Sequence, residues 1–85
     1  MRSVSYTVTD PVGIHARPAG LLAREAKRFS SEITLERGSD RASAKRLIAL
    51  MGLAVKCGDG IRLIIEGDDE DEAAEAIERF LREHL

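Results

Sequence analysis

The chain has 85 residues, of which 44% are apolar and 33% charged, and a chain of this length holds one hydrophobic core. This composition excludes a disordered or collagen-like protein. No apolar run approaches the roughly 20 residues of a membrane span, and the opening residues lack the apolar region of a signal peptide. The single cysteine, Cys57, excludes an internal disulfide. We therefore expect one cytoplasmic domain over residues 1–85, without membrane insertion.

The charge of the chain is small overall but unevenly distributed. The net charge of −2 and an aromatic content of 4% argue against a nucleic-acid partner, which needs a basic surface and exposed rings. Residues 15–46 carry a net charge of +4, and the rest of the chain carries −6. Two interpretations stay open: one side of the domain docks acidic partners, or the opposite charges pair across a solvated surface.

The first half of the chain predicts a strand, a helix and a hairpin. Alternating apolar residues indicate a half-buried strand over 3–9. An apolar residue every three or four positions predicts a helix over 16–29. A second alternating strand over 32–36 is followed by a hairpin turn at 38–40 and a weak short strand over 41–44.

The second half predicts a short helix, a strand and a longer helix. A short apolar helix is expected over 46–53, a turn at 57–60, and the clearest strand over 61–65. Asp69 with Glu72 three residues later forms a capping-box signature, which predicts that a helix begins there and runs to the end of the chain. The order β-α-β-β-α-β-α favours an α+β sandwich with helices on one face of the sheet and the other face open.

The chemistry of the sequence is concentrated in residues 13–20. His15 lies where a turn gives way to a helix, and Pro18 suits the first helical turn because its missing N–H would have no partner there. The free backbone N–H groups of Ala16 and Arg17 form an anion site at the helix start. A neutral imidazole is a nucleophile, and the Arg17 guanidinium would stabilise a phosphate that His15 acquired.

Simpler interpretations of the two histidines also stand. A histidine at a helix start often does no more than cap the helix. His84 is the only other histidine, and its distance along the chain argues against a metal site with His15; at the end of a helix we expect it to be solvated. No residue pattern calls for a metal or a cofactor.

The segment Gly-Ile-His-Ala-Arg-Pro-Ala at residues 13–19 resembles the active-site motif of the HPr family, the histidine-containing phosphocarriers of the bacterial phosphotransferase system. The resemblance extends over essentially the whole chain. It includes the length, the order of elements and residues 45–53, which align without gaps to the family's second helix. It implies an HPr-like open-faced sandwich, in which three helices cover one face of a four-stranded antiparallel sheet.

The resemblance also implies a function. In the family, the residue matching His15 receives a phosphoryl group on Nδ1 from enzyme I and passes it to the IIA subunits of sugar permeases, and Arg17 matches the adjacent arginine. The chain would then be a carrier that is transiently phosphorylated, with no turnover of its own.

Three departures from the family pattern concern regulation and the surroundings of the histidine. Members regulated by a serine kinase have serine where this chain has Arg46. Val12 replaces the polar residue that is often found near the histidine. Ala49 and Ala54 stand where many members have glycine. Phosphate carriage is expected to survive these changes, but regulation through a serine is placed in doubt.

A partner-binding surface is expected beside His15. Arg17, Gly20, Arg24 and Lys27 follow a helical spacing that is out of phase with the buried positions. The lack of a side chain at Gly20 would let a partner approach closely. The family's second helix adds exposed apolar residues here, matched by Leu47, Ile48 and Met51 beside Arg46. From periodicity alone, Leu47 and Met51 could equally belong to the core.

Two functional hypotheses therefore lead. The first is a monomeric phosphocarrier between enzyme I and IIA subunits. The second is a regulatory module of the same fold, whose phosphorylation on His15 controls partner proteins without sugar transport. An unrelated α+β nucleic-acid binder is disfavoured by the charge and the few aromatic residues.

Overall fold

Four strands and three helices form in the predicted order, in a computed structural model that describes residues 1–85. The boundaries lie within two residues of those predicted from the sequence. The elements are β1 (Arg2–Thr7), α1 (Ala16–Lys27), β2 (Glu32–Arg37), β3 (Asp40–Ser43), α2 (Leu47–Gly52), β4 (Gly60–Glu66) and α3 (Glu70–His84).

The strands make one antiparallel sheet in the order β1-β4-β2-β3. The central strand β4 alternates strictly: Ile61, Leu63 and Ile65 are buried, whereas Arg62 is exposed. Strand residues point alternately to the two faces, so one face joins the core and the other meets solvent. All the buried apolar side chains form one cluster between that face and the helices. The predicted open-faced sandwich is confirmed.

Helix α1 forms because its apolar residues recur at helical spacing. Ala19, Leu22 and Ala26 are completely buried, and the opposite side of the helix is exposed. Arg24 and Lys27 lie in its last turn, where positive charge is favoured by the helix dipole. The helix ends at Lys27, two residues before the predicted end.

Strand β1 ends two residues earlier than predicted because the next residues bond elsewhere. The Val8 N–H donates to the carbonyl of Asp59 at 3.0 Å. The N–H groups of Thr9 and Asp10 both donate to the carbonyl oxygen of Leu85, at 2.6 and 2.8 Å. The segment after β1 is thereby tied to the end of α3, which places that end beside the loop that carries His15.

The capping box predicted at Asp69 is wrong. Asp69 is the N-cap residue of α3, but its side chain makes no capping hydrogen bond. The carboxylate instead accepts from the N–H groups of Ser30 and Ser31, at 2.9 Å each, and from the Ser31 hydroxyl. These bonds, with the Ser31 hydroxyl contributing most, hold the pKa of Asp69 below its ordinary value. The carboxylate therefore ties the loop before β2 to the start of α3.

We predict that Asp69→Asn lowers the Tm at neutral pH because a neutral amide cannot accept these bonds as a carboxylate does. The folded-state pKa of Asp69 lies below its ordinary 3.8, so the stabilisation is complete above that value and is lost as the pH falls through the folded-state pKa. The Tm difference between wild type and variant should therefore shrink in strong acid. Thermal unfolding followed by circular dichroism across this range measures it.

Asp68→Asn is the matched control for this prediction. It makes the same substitution one residue earlier, at an exposed position, and should leave the Tm and its pH profile close to wild type. A Tm difference for Asp69→Asn that stayed constant into strong acid would show that the carboxylate charge is not what stabilises this junction.

Candidate functional site

The backbone just before His15 is fixed by close packing. Gly13 has a φ of +77°, and a Cβ built there would lie 2.3 Å from the carbonyl oxygen of Val55. Only glycine fits this position, since both the conformation and the space exclude a side chain. The next residue, Ile14, is 6% exposed and donates its N–H to the same Val55 oxygen at 3.0 Å. His15 therefore follows a rigid, buried anchor.

The segment beneath Gly13 is itself held in place. Arg37 donates to the carbonyl of Ala54 at 3.0 Å, and the Lys56 N–H donates to the Asp59 carboxylate at 2.8 Å. The Lys56 N–H and, more weakly, Arg37 hold the pKa of Asp59 below its ordinary value. Ala54 has a φ of +52°, a conformation that disfavours non-glycine residues. The Val55 oxygen is thus positioned by a network that begins in β2.

The other side of the loop is shaped by Asp10. Its carboxylate accepts the N–H of Val12 at 2.9 Å, and its carbonyl accepts the N–H of Gly13 at 3.0 Å. An aspartate that bonds the backbone two residues on stabilises a tight turn. The sequence predicts a turn before His15 but does not predict this role of Asp10. The side chain of Val12 is exposed and lends no polar support to the site.

The imidazole of His15 is left free at the start of α1. His15 occupies the N-cap position with an extended backbone, yet its side chain makes no capping hydrogen bond. Its carbonyl accepts the N–H of Ala19 at 2.9 Å, so the backbone begins the helix without help from the ring. The interpretation of His15 as a simple cap is therefore wrong.

The anion site predicted beside His15 has its donors available. The N–H groups of Ala16 and Arg17 meet no acceptor within the chain, and Pro18 has no N–H. Arg17 is exposed, lines the same cavity as His15 and forms no ion pair. Free donors at a helix start, with the dipole and a guanidinium, suit a phosphate.

His84 lines the same cavity as His15, an arrangement that nothing in the sequence predicts. It is exposed at the end of α3, as expected, but it lines the same cavity of about 240 Å³ as His15 and Arg17. Distance along the chain was therefore a wrong reason to separate the histidines. The link is the bonding of the residues after β1 to Leu85, and a backbone contact of this kind leaves no mark in a sequence.

The residues expected to bind a partner come together on α1 and α2. Leu47, Ile48 and Met51 are 39%, 79% and 40% exposed, so the alternative that Leu47 and Met51 belong to the core is wrong. Leu47 lines one surface hollow together with residues of α1, among them Gly20 and Arg24. It lines a second hollow together with its own neighbours Arg46 and Ile48. We call the whole set the α1–α2 surface; it consists of Gly20, Arg24, Lys27, Arg46, Leu47, Ile48 and Met51.

The basic residues of the α1–α2 surface are unpaired. Arg24, Lys27 and Arg46 form no ion pair, whereas most arginines outside this surface and its neighbour Arg17 do. Simple pairing of opposite charges across the molecule therefore does not account for the basic half of the sequence. The paired arginines are Arg2, Arg28, Arg37, Arg41, Arg62 and Arg82.

The structure contains neither a metal-binding cluster of side chains nor a membrane-spanning helix. No group of three or more histidine, cysteine, aspartate or glutamate side chains is arranged to hold a metal ion. None of the three helices combines the length and the apolar composition needed to cross a bilayer.

The fold and the site define a class: an open-faced α+β sandwich with a free histidine at a helix start that is suited to bind an anion. The family described as "PTS HPr component phosphorylation site" matches residues 2–83. The chain belongs to the HPr family, the phosphocarrier proteins of the phosphotransferase system.

Individual relatives agree with this assignment. The chain is 43% identical over 83 residues to phosphocarrier protein HPr of Lysinibacillus sphaericus, covering 98% of this chain and 94% of the relative. It is 48% identical over 69 residues to the HPr-like protein Crh of Halalkalibacterium halodurans, covering 81% and 82%. A solved structure of the histidine-containing phosphocarrier protein of Mycoplasma superposes with a TM-score of 0.94 at 38% identity, covering 96% and 93%.

Proposed function

We propose that this protein accepts a phosphoryl group on His15 from phosphorylated enzyme I and passes it to IIA-type permease subunits. The observation that carries the proposal is the free imidazole of His15 beside the unpaired N–H groups of Ala16 and Arg17. A donor set that is already in place lowers the energy of the phosphorylated state without rearrangement. The whole of residues 1–85 acts as one domain in the cytoplasm, as a monomer, with no cofactor.

The transfer is a displacement at phosphorus in which the imidazole of His15 is the nucleophile. The lone pair of a ring nitrogen of His15 attacks the phosphorus atom carried by phosphorylated enzyme I. The bond from phosphorus to the donor atom of enzyme I breaks, and its electron pair stays with the donor. Arg17 and the two N–H groups stabilise the negative charge on the phosphoryl oxygens. Passage to a IIA subunit is a second displacement of the same kind: a nucleophile of the IIA subunit attacks the phosphorus atom, the phosphorus–nitrogen bond to His15 breaks, and its electron pair returns to the imidazole.

The α1–α2 surface is the proposed docking site for both partners. It presents an exposed apolar cluster, Leu47, Ile48 and Met51, among cations that no residue of the chain neutralises. Such a surface fits an acidic protein, whose approach the cations would steer. It adjoins His15 through α1, so that a docked partner reaches the imidazole.

Arg46 bears on regulation of this surface. It is the N-cap residue of α2, with no capping bond from its side chain, and arginine offers no hydroxyl for a serine kinase. A phosphate at this position would place negative charge on a surface that binds acidic partners. Arginine places positive charge there instead, and we propose that docking is therefore constitutive.

A second candidate is a regulatory module whose phosphorylation on His15 controls partner proteins without sugar transport. The similarity to the HPr-like protein Crh favours it. Both candidates require a phosphorylated His15, and they differ in what happens afterwards. A carrier passes its phosphoryl group to a IIA subunit, whereas a pure regulator binds its targets and keeps the group.

Incubation with phosphoenolpyruvate and enzyme I should add one phosphate, which intact mass at neutral pH will detect. The phosphate should disappear after brief acid treatment, because phosphohistidine is labile in acid. His15→Ala should abolish it.

Arg17→Ala should slow transfer while changing the free energy of unfolding by no more than about 0.5 kcal/mol, because the side chain is exposed and unpaired.

Three results would contradict this assignment. An acid-stable phosphate would place the group on another residue type, and labelling that survived His15→Ala would place it at another site. An Arg17→Ala protein that transferred phosphate at the wild-type rate would remove Arg17 from the anion site.

For the docking surface, we predict that Arg46→Asp slows transfer from enzyme I by about three- to tenfold at low ionic strength. The slowing should shrink as salt rises, because exposed charges are screened beyond about 10 Å at 0.1 M salt. A time course of quenched samples, each analysed for the fraction of phosphorylated protein, measures the rate. Arg79→Asp is the matched control: it makes the same charge reversal at an exposed, unpaired arginine on α3, and the rate should stay near wild type.

Gly20→Ala tests the same surface without a change of charge. A Cβ at Gly20 would meet nothing within 4 Å, so the alanine fits and should stabilise α1 by about 0.5–1 kcal/mol. A more stable protein that transfers more slowly would place Gly20 at a close contact with the partner. Equal rates for wild type, Arg46→Asp and Gly20→Ala at low salt would show that docking occurs elsewhere.

A further inference from the structure

The cavity beside His15 contains more than the family motif supplies. The cavity is lined by His15, Arg17 and Pro18 from the start of α1 and by Glu83 and His84 from the end of α3. Asp10 and Leu21 complete the lining. A phosphoryl group on His15 that occupied this cavity would lie between the start of α1 and the end of α3.

The side of the cavity formed by the end of α3 and by Asp10 opposes a phosphoryl group except at one residue. The carboxylates of Glu83 and Asp10 repel an anion, and the end of a helix carries the negative end of its dipole. The Asp10 carboxylate is occupied by the Val12 N–H, and Glu83 forms no ion pair that would neutralise it. His84 is the only group on this side with a hydrogen-bond donor, because an imidazole carries at least one N–H in either charge state.

The His84 ring is supported from within its own helix. Its centroid lies 4.5 Å from that of Phe80, with 33° between the ring planes. Phe80 is buried, whereas His84 is exposed at the end of the helix. This contact already restricts the His84 ring, so a hydrogen bond from the ring would cost little further side-chain entropy. The donor is thus held at the edge of the cavity.

We propose that His84 donates a hydrogen bond to the phosphoryl group on His15 and thereby lengthens the lifetime of the phosphorylated protein. This inference rests on the proposed function, since it requires phosphorylation of His15. Arg17 and the N–H groups of α1 hold the phosphoryl oxygens from one side, and His84 holds them from the other. The bond offsets the repulsion from Glu83 and Asp10.

Two substitutions at His84 separate the donor from the ring. His84→Phe keeps an aromatic side chain against Phe80 and removes every N–H, whereas His84→Gln loses the ring and keeps an N–H donor. Each protein is phosphorylated with phosphoenolpyruvate and enzyme I, freed of enzyme I, and followed at neutral pH by phosphorus NMR. His84→Phe should lose its phosphate about two- to tenfold faster than wild type, the effect of one hydrogen bond.

The other variants should behave differently if the donor is what matters. His84→Gln should stay within about twofold of wild type. Arg79→Gln, which alters α3 outside the cavity, should match wild type. The wild-type protein gives a readout that needs no variant: the ring nitrogen resonances of His84 should shift when His15 is phosphorylated.

The failures of this inference and of the proposed function are distinguishable. Phosphate loss from His84→Phe at the wild-type rate would overturn the role of His84 alone, as would a His84→Gln protein as short-lived as His84→Phe. Unshifted His84 ring resonances would overturn it even if a variant failed to fold. A wild-type protein that enzyme I does not phosphorylate would overturn the proposed function and this inference with it.

Discussion

The packing of Gly13 against Val55 is the constraint on which the site depends. The loop and the 54–56 segment approach so closely that no side chain fits at position 13, and the Ile14 N–H bonds the same Val55 oxygen. This fixes the direction of the chain as it enters α1. Because the helix start is determined by the backbone, His15 has no structural task for its ring, and the next two N–H groups have no acceptor. A free imidazole and two unpaired N–H groups at the start of α1 are thus consequences of one buried contact.

The distribution of paired and unpaired charges separates the parts of the molecule that stabilise the fold from those left for binding. On the open face of the sheet, Glu36 is bonded by both Arg62 and Arg41. Arg24, Lys27 and Arg46, in contrast, have no counter-ion within the chain. Unpaired surface cations contribute little to stability, so their cost to the fold is small, and their field remains available to an acidic partner.

Much of this architecture follows from local patterns in the sequence. Alternating apolar residues predicted β1 and β2, helical spacing predicted α1, and the turn before His15 predicted where that helix begins. What the sequence did not reveal depends on contacts between distant residues. Asp69 has the local signature of a capping residue, but its carboxylate binds Ser30 and Ser31 instead. The N–H groups of Ser30 and Ser31 reach this carboxylate only because the fold brings residues 39 and 38 positions away next to it, and no local pattern records that contact.

His84 illustrates the same limit at the site itself. Its approach to His15 depends on the carbonyl of Leu85 accepting from Thr9 and Asp10, and main-chain groups are the same in every residue. The position of Val55 beneath Gly13 was hidden for the same reason. Side-chain periodicity predicts which face of an element is buried, but not which loop backbones will meet.

The most direct test of this account is the amide NMR spectrum of the protein before and after phosphorylation by enzyme I. If the free N–H groups at the start of α1 hold the phosphoryl group, the amide protons of Ala16 and Arg17 should move downfield by more than any others. The amide of Ile14, already bonded to Val55, should move little. A phosphorylated protein in which the Ala16 and Arg17 amides stayed in place would contradict the claim that the helix start is the phosphate site.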